Sequence, residues 1–340
     1  MAAVLEVSLE QHPRKKSARL IQIGRFALAA ALLAILFVRF INPKDLARAF
    51  GQFHPGFILL TIASYFLWRA FSTWQLSCIM KCRGLALPFW RIFRVQTIAI
   101  LFSTALPSDF AGAAATWYML SRDTGKRAIV ANSLIYLRML TLIVLAAFAC
   151  VGLMLEPVGR SFKEAHLLAV ISGAIFVCLC LVLTPAGTHF VELCLNAVLS
   201  VLSRFSRRVS LVIPASGFFA EARALQGLPL RNHIGIWTWS LTVNLAAALI
   251  TFFAMRAADI ALPFAVSMWL IGVIAVVQLV SLTPSGLGLR EFSIVALLKS
   301  AYDIAPEKAL AFAALILALN LIFGAGLGGY WMLFPPSDRS

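Results

Sequence analysis

Apolar residues run through this chain in long stretches, separated by short polar segments that carry most of the charged side chains. Most of these stretches hold about 20 residues, enough for an α-helix to cross the roughly 30 Å hydrocarbon layer of a membrane. They do not alternate between apolar and polar positions, as the strands of a membrane barrel do. The complete spans that this pattern predicts are residues 20–41, 57–80, 128–155, 166–183, 231–255 and 310–334.

Two further apolar stretches, residues 95–120 and 263–298, are interrupted by residues that end helices. The first break, at 106–112, contains Pro107, and the second, at 283–291, contains Pro284 and several glycines. Proline removes a backbone donor and disfavours helix at the residue before it. Because irregular backbone at membrane depth needs cover by protein or a water-filled cavity, each break predicts a re-entrant helical hairpin beside a polar site. A simple turn at the membrane surface is the alternative for the second break.

Composition and charge placement agree with a membrane protein. The chain is 61% hydrophobic and 13% charged, about half the charge of a soluble domain. Its net charge of +15 comes from basic residues beside the spans, so we predict no nucleic-acid partner. Segments 81–94, 121–127 and 187–231 are basic, whereas the segments at the other ends of the spans are nearly balanced. The positive-inside rule therefore predicts a protein of the cytoplasmic membrane with both termini in the cytoplasm.

The order of the elements predicts two related halves. A cytoplasmic basic segment, 1–19, precedes a first membrane half, 20–155, and a second half, 156–334, ends in a cytoplasmic tail, 335–340. The two breaks are 177 residues apart, from Pro107 to Pro284, and the same elements follow each of them. The predicted fold class is an all-α integral membrane protein with about six full transmembrane helices and two re-entrant hairpins in an inverted repeat, an architecture typical of transporters. If the hairpins were full spans, the basic segment 121–127 would lie outside the cell.

Residues 188–209 form a segment of a different kind, in which apolar and polar residues are mixed. Polar side chains recur there every three or four positions, which predicts an amphipathic helix lying in the cytoplasmic membrane interface. Arg204, Arg207 and Arg208 would suit anionic headgroups. An ordinary buried helix with a basic last turn is the alternative.

Charged side chains inside the apolar stretches are the candidate site residues. They are Arg69, Asp109, Arg138, Arg290 and Glu291, with a net charge of +1. Each costs at least about 2.5 kcal/mol in hydrocarbon, so they are predicted to converge on one another or on a ligand. Arginine binds phosphate through two parallel hydrogen bonds. We therefore predict that these residues bind an anionic lipid headgroup, and a structural cluster without a ligand is the alternative.

The second break resembles a family signature. Pro284, Ser285, Gly286, Leu287, Gly288, Leu289, Arg290 and Glu291 are similar to the Pro-Gly-Gly-Leu-Gly-x-Arg-Glu motif of the lysylphosphatidylglycerol synthase transmembrane-region family, with Ser285 replacing a glycine. The first break, and Arg69 with Trp74, also lie where this family has a Pro/Gly break and an Arg/Trp-bearing span. The resemblance covers nearly the whole chain. It adds Pro284, Ser285, Gly286 and Gly288 to the predicted substrate-binding residues and implies movement of lipids such as aminoacylated phosphatidylglycerol, polyprenol-linked sugars or hopanoids.

Two departures from the family pattern shape the expected function. Ala113 and Thr116 follow the first break where the family usually carries an acidic residue and an arginine, and the sequence holds no soluble aminoacyl-transferase domain. We therefore predict a non-enzymatic lipid translocase or lipid-handling transporter for an anionic or polyprenol-type envelope lipid, with no metal and no cofactor. The alternatives are a non-catalytic partner or scaffold of an envelope-lipid biosynthetic enzyme, and a membrane-embedded lipid-carrier transferase, for which the short outer loops leave little room.

Overall fold

The computed structural model describes residues 48–105, 110–156, 227–280 and 288–334, with five single positions between 173 and 189. Within these ranges every regular element is helical, which confirms the predicted all-α membrane fold. The helices are α1 Pro55–Cys82, α2 Phe89–Ala105, α3 Phe110–Thr124, α4 Arg127–Leu155, α5 Leu230–Ala257, α6 Phe264–Val280, α7 Leu289–Tyr302 and α8 Pro306–Leu321, followed by a π-helical segment Ile322–Gly328 and α9 Gly329–Leu333.

Four helical units are long and apolar enough to cross a membrane: α1, α4, α5 and the continuous unit Pro306–Leu333. They match four of the six predicted spans. The other two are 20–41, which lies outside the described residues, and 166–183, of which only three single positions are described. The basic segment 1–19, nearly all of the predicted interfacial helix 188–209, and the tail 335–340 also lie outside the described residues.

The described helices repeat in length and order. The first half has helices of 28, 17, 15 and 29 residues, and the second half has 28, 17, 14 and 28. Equivalent helices begin 175 residues apart before each break (55 to 230 and 89 to 264) and 179 residues apart after it (110 to 289 and 127 to 306). The second break is therefore four residues longer than the first, and each residue has a defined equivalent in the other half.

The equivalent helices α1 and α5 pack against each other and run in opposite directions. At one end the His54 amide donates to the Ala257 carbonyl (3.1 Å), and at the other end Ile79 packs against Ile236. Between them the rings of Trp74 and Trp239 lie 5.8 Å apart. Since equivalent helices run antiparallel, the two halves are related by inverted topology.

Each broken stretch folds into a hairpin that opens on one face of the bundle. The first hairpin, α2 with α3, brings the start of α2 and the end of α3 to the end of α1, where Ile92, Leu120 and Met80 share a buried cluster. This face, which we call the basic face, carries Lys81, Arg83, Arg91, Arg94, Arg122, Lys126, Arg127 and Arg231.

The second hairpin, α6 with α7, opens on the opposite face. The rings of Trp269, near the start of α6, and Tyr302, at the end of α7, stack 6.4 Å apart. Asp259 lies nearby, after α5, and accepts a 2.6 Å hydrogen bond from Lys308 at the start of α8. This hydrogen bond and the lysine charge lower the pKa of Asp259. The ion pair between Asp259 and Lys308 is therefore present at neutral pH and is lost only as the pH falls through that lowered pKa.

The first arm of each hairpin, α2 or α6, is a half-helix. It packs closely on the long helix after the hairpin of the other half: α2 packs on the unit Pro306–Leu333, and α6 packs on α4. A Cβ atom at Gly328 would lie 2.7 Å from the Thr97 carbonyl oxygen of α2, and one at Gly272 of α6 would lie 2.8 Å from the Ala149 methyl of α4. Thr97 is equivalent to Gly272, and Ala149 to Gly328. At these equivalent positions the glycine is on opposite partners, and α4 carries a further glycine, Gly152, whose Cβ atom would lie 2.7 Å from the Ala265 carbonyl oxygen of α6.

A π-helical turn at Ile322–Gly328 breaks the symmetry of this packing. The equivalent residues 143–149 belong to a regular α-helix. Glycine is a poor α-helix former, and three of the seven π-helical residues are glycines, at 324, 326 and 328. Wider turns of this kind are frequent at functional sites.

We predict that Gly328→Ala lowers the free energy of unfolding by about 1–3 kcal/mol, because the added methyl group overpacks the contact with the α2 backbone. Gly326→Ala is the matched control, since nothing lies within 4 Å of a Cβ atom at that position. Denaturation of the purified proteins in detergent measures both. Equal stability of the two variants would contradict the close packing of α2 on the π-helical segment.

Candidate functional site

Arg69, Arg290 and the inner ends of the hairpin arms lie at a similar depth. An α-helix rises 1.5 Å per residue, so the middle of α1 is about 21 Å from either end, and Arg69 occupies that level. The end of α7 lies on the face opposite the basic face, and Arg290 is about 18 Å along α7 from that end. The first arms α2 and α6 have 17 residues each and are about 25 Å long. The described arms of both hairpins therefore end near the middle of the bundle, one pair entering from each face.

Arg290 and Glu291 at the start of α7 form a closed ion pair. Both Nε and Nη2 of Arg290 donate to Glu291 Oε1, at 3.0 and 2.5 Å. The other carboxylate oxygen, Oε2, accepts the backbone amide of Gly288 at 2.7 Å. Gly288 has φ +82°, a conformation that glycine adopts readily. Both charged side chains are buried, so the pair satisfies and neutralises itself while it caps the helix that leaves the break.

Arg69, in the middle of α1, has a different environment. It is only 6% exposed, and its Nε and Nη2 atoms have no hydrogen-bond partner among the residues that the structure describes. Its guanidinium carbon lies 5.3 Å from the centroid of the Trp68 ring, within the range of a cation–π contact. Arg69 is thus a buried cation that the described part of the chain does not neutralise.

Two side-chain hydrogen bonds lie on either side of Arg69, along one face of α1. We call these two bonds the frame of Arg69. One turn before it, Tyr65 Oη donates to Asn320 Oδ1 of α8 (2.9 Å). One turn after it, Thr73 Oγ1 lies 2.9 Å from Gln96 Oε1 of α2 and donates to it. Residues 65, 69 and 73 are four apart and therefore lie on one face of the helix. Arg69 consequently belongs to the face of α1 that meets α2 and α8.

The two halves place their buried charges at positions that are not equivalent. The equivalent of Arg69 in the second half is Asn244, and the equivalents of Arg290 and Glu291 in the first half are Ala111 and Gly112. A Cβ atom at Gly112 would lie 2.8 Å from the Ala99 carbonyl of α2, so the arms of the first hairpin pack closely where the second carries its ion pair. Among the described charges inside the apolar stretches, the buried ones therefore lie at non-equivalent places in the two halves.

The structure separates the predicted site residues into three groups. Arg69, Gly288, Arg290 and Glu291 are buried. Arg138 is exposed on α4, so the convergence predicted for it does not appear in the described chain. The remaining predicted residues, Asp109, Pro284, Ser285 and Gly286, lie outside the described residues.

Sequence reasoning missed the polar residues around Arg69. These are Tyr65, Thr73, Gln96 and Asn320. The spacing of Tyr65, Arg69 and Thr73 at four-residue intervals in an apolar span was the available signal. The partners on α2 and α8 are far away in sequence and carried no such signal.

We predict strong coupling between Arg290 and Glu291. Either Arg290→Gln or Glu291→Gln leaves one buried charge uncompensated and should lower the free energy of unfolding by about 3–5 kcal/mol. The double variant should lose less than the sum of the two, as a double-mutant cycle in detergent will measure. The exposed pair Asp259 and Lys308 provides the control cycle, with coupling of at most about 1 kcal/mol. Additive losses at 290 and 291 would refute the closed pair.

A family model described as the lysylphosphatidylglycerol synthase TM region matches residues 22–328 of this chain. The match includes both breaks and all nine predicted site residues. No curated protein matches the sequence.

Proposed function

The chain belongs to the lysylphosphatidylglycerol synthase transmembrane-region family, and from this premise we propose that it moves an anionic lipid between the two leaflets of the cytoplasmic membrane. The family points to a multi-pass membrane protein of envelope-lipid handling. Translocation is the specific step that we propose, with the lipid passing through chemically unchanged. The protein would then act as a transporter and not as an enzyme.

The observation that carries this proposal is the pair of inverted hairpins whose described arms end near the middle of the bundle. A lipid that changes leaflet must move its polar headgroup through hydrocarbon, where unpaired polar groups cost several kcal/mol. Broken helices supply backbone donors and acceptors at that depth. In inverted-repeat transporters, substrate sites lie at such breaks, and one repeat moves against the other around them.

The hairpins also suit access from alternate sides. Each half-helix packs on the long helix of the other half, so a shift at one contact opens a path from one face only. The π-helical turn makes these two contacts unequal, because it occurs only where α2 packs. We infer that the headgroup enters beside one hairpin and leaves beside the other.

The orientation proposed for this cycle places the basic face in the cytoplasm. Single-cysteine labelling in a cysteine-free variant should therefore modify position 124 only from inside and position 303 only from outside. Both positions lie at open ends of hairpins, one on each face. Labelling of 124 from outside would refute the proposed return of the first hairpin to the cytoplasmic side.

Transport itself can be measured with purified protein in liposomes that contain a fluorescent phosphatidylglycerol. We expect the protein to speed the exchange of this lipid between leaflets well above the rate in protein-free liposomes. Gly112→Ala should slow exchange about tenfold or more, because the added methyl group pushes the arms of the first hairpin apart.

Gly235→Ala is the matched control for that variant, since position 235 has open space and lies away from the hairpins. It should reconstitute and transport as the unmodified protein does. An exchange rate equal to that of protein-free liposomes would reject translocation. In that case a non-catalytic partner of an envelope-lipid biosynthetic enzyme becomes the better proposal, and copurification of such an enzyme from membranes would support it.

A further inference from the structure

We propose that Arg69 is the residue that binds the anion, in a site built by α1, α2 and α8, and that Arg290 of the family signature serves the structure of the second break. The proposed ligand is a group with the chemistry of a phosphate. This inference depends on the proposed function for one point only, that the phosphate belongs to a lipid headgroup.

The hydrogen bonding of the two arginines distinguishes them. Nε and Nη2 form one edge of the guanidinium group and donate in parallel, which matches two oxygens of a phosphate or carboxylate. In Arg290 this edge is already bound to the Glu291 carboxylate. In Arg69 the same two atoms have no partner in the described chain. Arg69 therefore offers the edge that binds an oxyanion, and Arg290 does not.

Burial makes this free edge significant. A charge at this depth is unfavourable unless another group compensates it. The cation–π contact with Trp68 gives no hydrogen bond to Nε or Nη2, so these donors remain available. A bound anion would supply both the missing hydrogen bonds and the missing charge.

The frame around Arg69 favours an anion over a cation. Tyr65, Asn320, Thr73 and Gln96 are neutral and already paired with each other, so among the residues that the structure describes there, only Arg69 carries a formal charge. The frame also joins three helices at Arg69, because Asn320 belongs to α8 and Gln96 to α2. A ligand held by Arg69 would therefore lie where α2 of the first hairpin meets α8, the helix that leads into the π-helical segment.

Trp68 provides a reporter for the site. Its ring is 5.3 Å from the Arg69 guanidinium carbon, so an anion bound at Arg69 should change its fluorescence. We would place the full chain in phosphatidylcholine nanodiscs and titrate it with soluble short-chain phosphatidylglycerol. Inorganic phosphate and short-chain phosphatidylcholine are titrated separately. Trp68→Phe removes the reporter and shows which part of the signal comes from position 68.

We expect a saturable response to short-chain phosphatidylglycerol that Trp68→Phe abolishes. Arg69→Gln should remove the binding, and Arg69→Lys should weaken it about tenfold, because lysine keeps the charge but loses the two parallel donors. Arg256→Gln is the matched control. Arg256 also lies over an aromatic ring, 5.2 Å from the Phe252 centroid, but it already donates to the Leu262 carbonyl. Its replacement should leave the affinity unchanged.

Thermal unfolding separates a ligand site from a structural role. Without added anion, Arg69→Gln should unfold at the same temperature as the unmodified protein or at a higher one, because an uncompensated buried charge has been removed. The lipid probe should raise the unfolding temperature of the unmodified protein only. A large drop in the unfolding temperature of Arg69→Gln, or unchanged probe binding by that variant, would overturn the proposal.

The two soluble phosphates identify the source of the anion. A response to short-chain phosphatidylglycerol but not to inorganic phosphate supports a lipid headgroup, whereas a response to inorganic phosphate alone overturns that part of the inference.

Liposome transport then separates the two proposals. If Arg69→Gln loses binding but the unmodified protein moves no lipid, the site stands and translocation fails. If Arg69→Gln transports lipid at the normal rate, translocation stands and the site fails.

Discussion

The hydrogen-bonding demand of backbone inside hydrocarbon is the constraint on which the rest of this structure depends. A helix can satisfy its own amides and carbonyls, but a broken helix leaves several without partners, and lipid cannot supply them. Each break must therefore be covered by protein. Here the two hairpins enter from opposite faces, and each first arm packs on a long helix of the other half. The inverted repeat thus packs the first arm of each hairpin against a long helix of the other half.

Close helix packing explains where small residues occur. The contact between a half-helix and a long helix appears twice, and in each copy a backbone approach leaves no room for a side chain on one partner. At the equivalent positions the glycine is on the long helix in one copy, at 328, and on the half-helix in the other, at 272. Close approach is therefore the shared feature of the two copies, and the α4–α6 copy has a glycine on both partners, because Gly152 of α4 also meets the α6 backbone. The π-helical turn occurs beside Gly328 alone, which makes one contact different in shape from the other.

Much of this fold could be predicted from the sequence, because the physical signals were strong and local. Span lengths, proline and glycine breaks and the spacing between Pro107 and Pro284 identified the hairpins and the repeat, and the predicted span 57–80 became a helix from 55 to 82. The signals that failed were those that depend on packing. Arg138 lies in an apolar span, as Arg69 does, yet one is exposed and the other is buried. Periodicity in a uniformly apolar helix does not distinguish the face that meets other helices from the face that meets lipid. The π-helical turn was not predicted either, since glycines alone do not specify the wider turn.

The buried charges show why a signature motif does not by itself identify a ligand. Counting charges along the sequence gave a surplus of one positive charge but could not assign it to an arginine. In the structure, Arg290 lies next to Glu291 and uses its carboxylate, and the same carboxylate holds the Gly288 amide at the end of the break. A motif that unites a glycine, an arginine and a glutamate within four residues is sufficient to build a stable helix start at membrane depth. Among the described residues, the buried cation without an acidic partner is Arg69, 221 positions earlier in the chain. A residue whose charge is compensated contributes to stability, whereas a buried charge left uncompensated reduces stability unless a ligand completes it. On this criterion we propose that ligand binding is centred on the unbroken helix α1 and that the broken helix beside it provides the access.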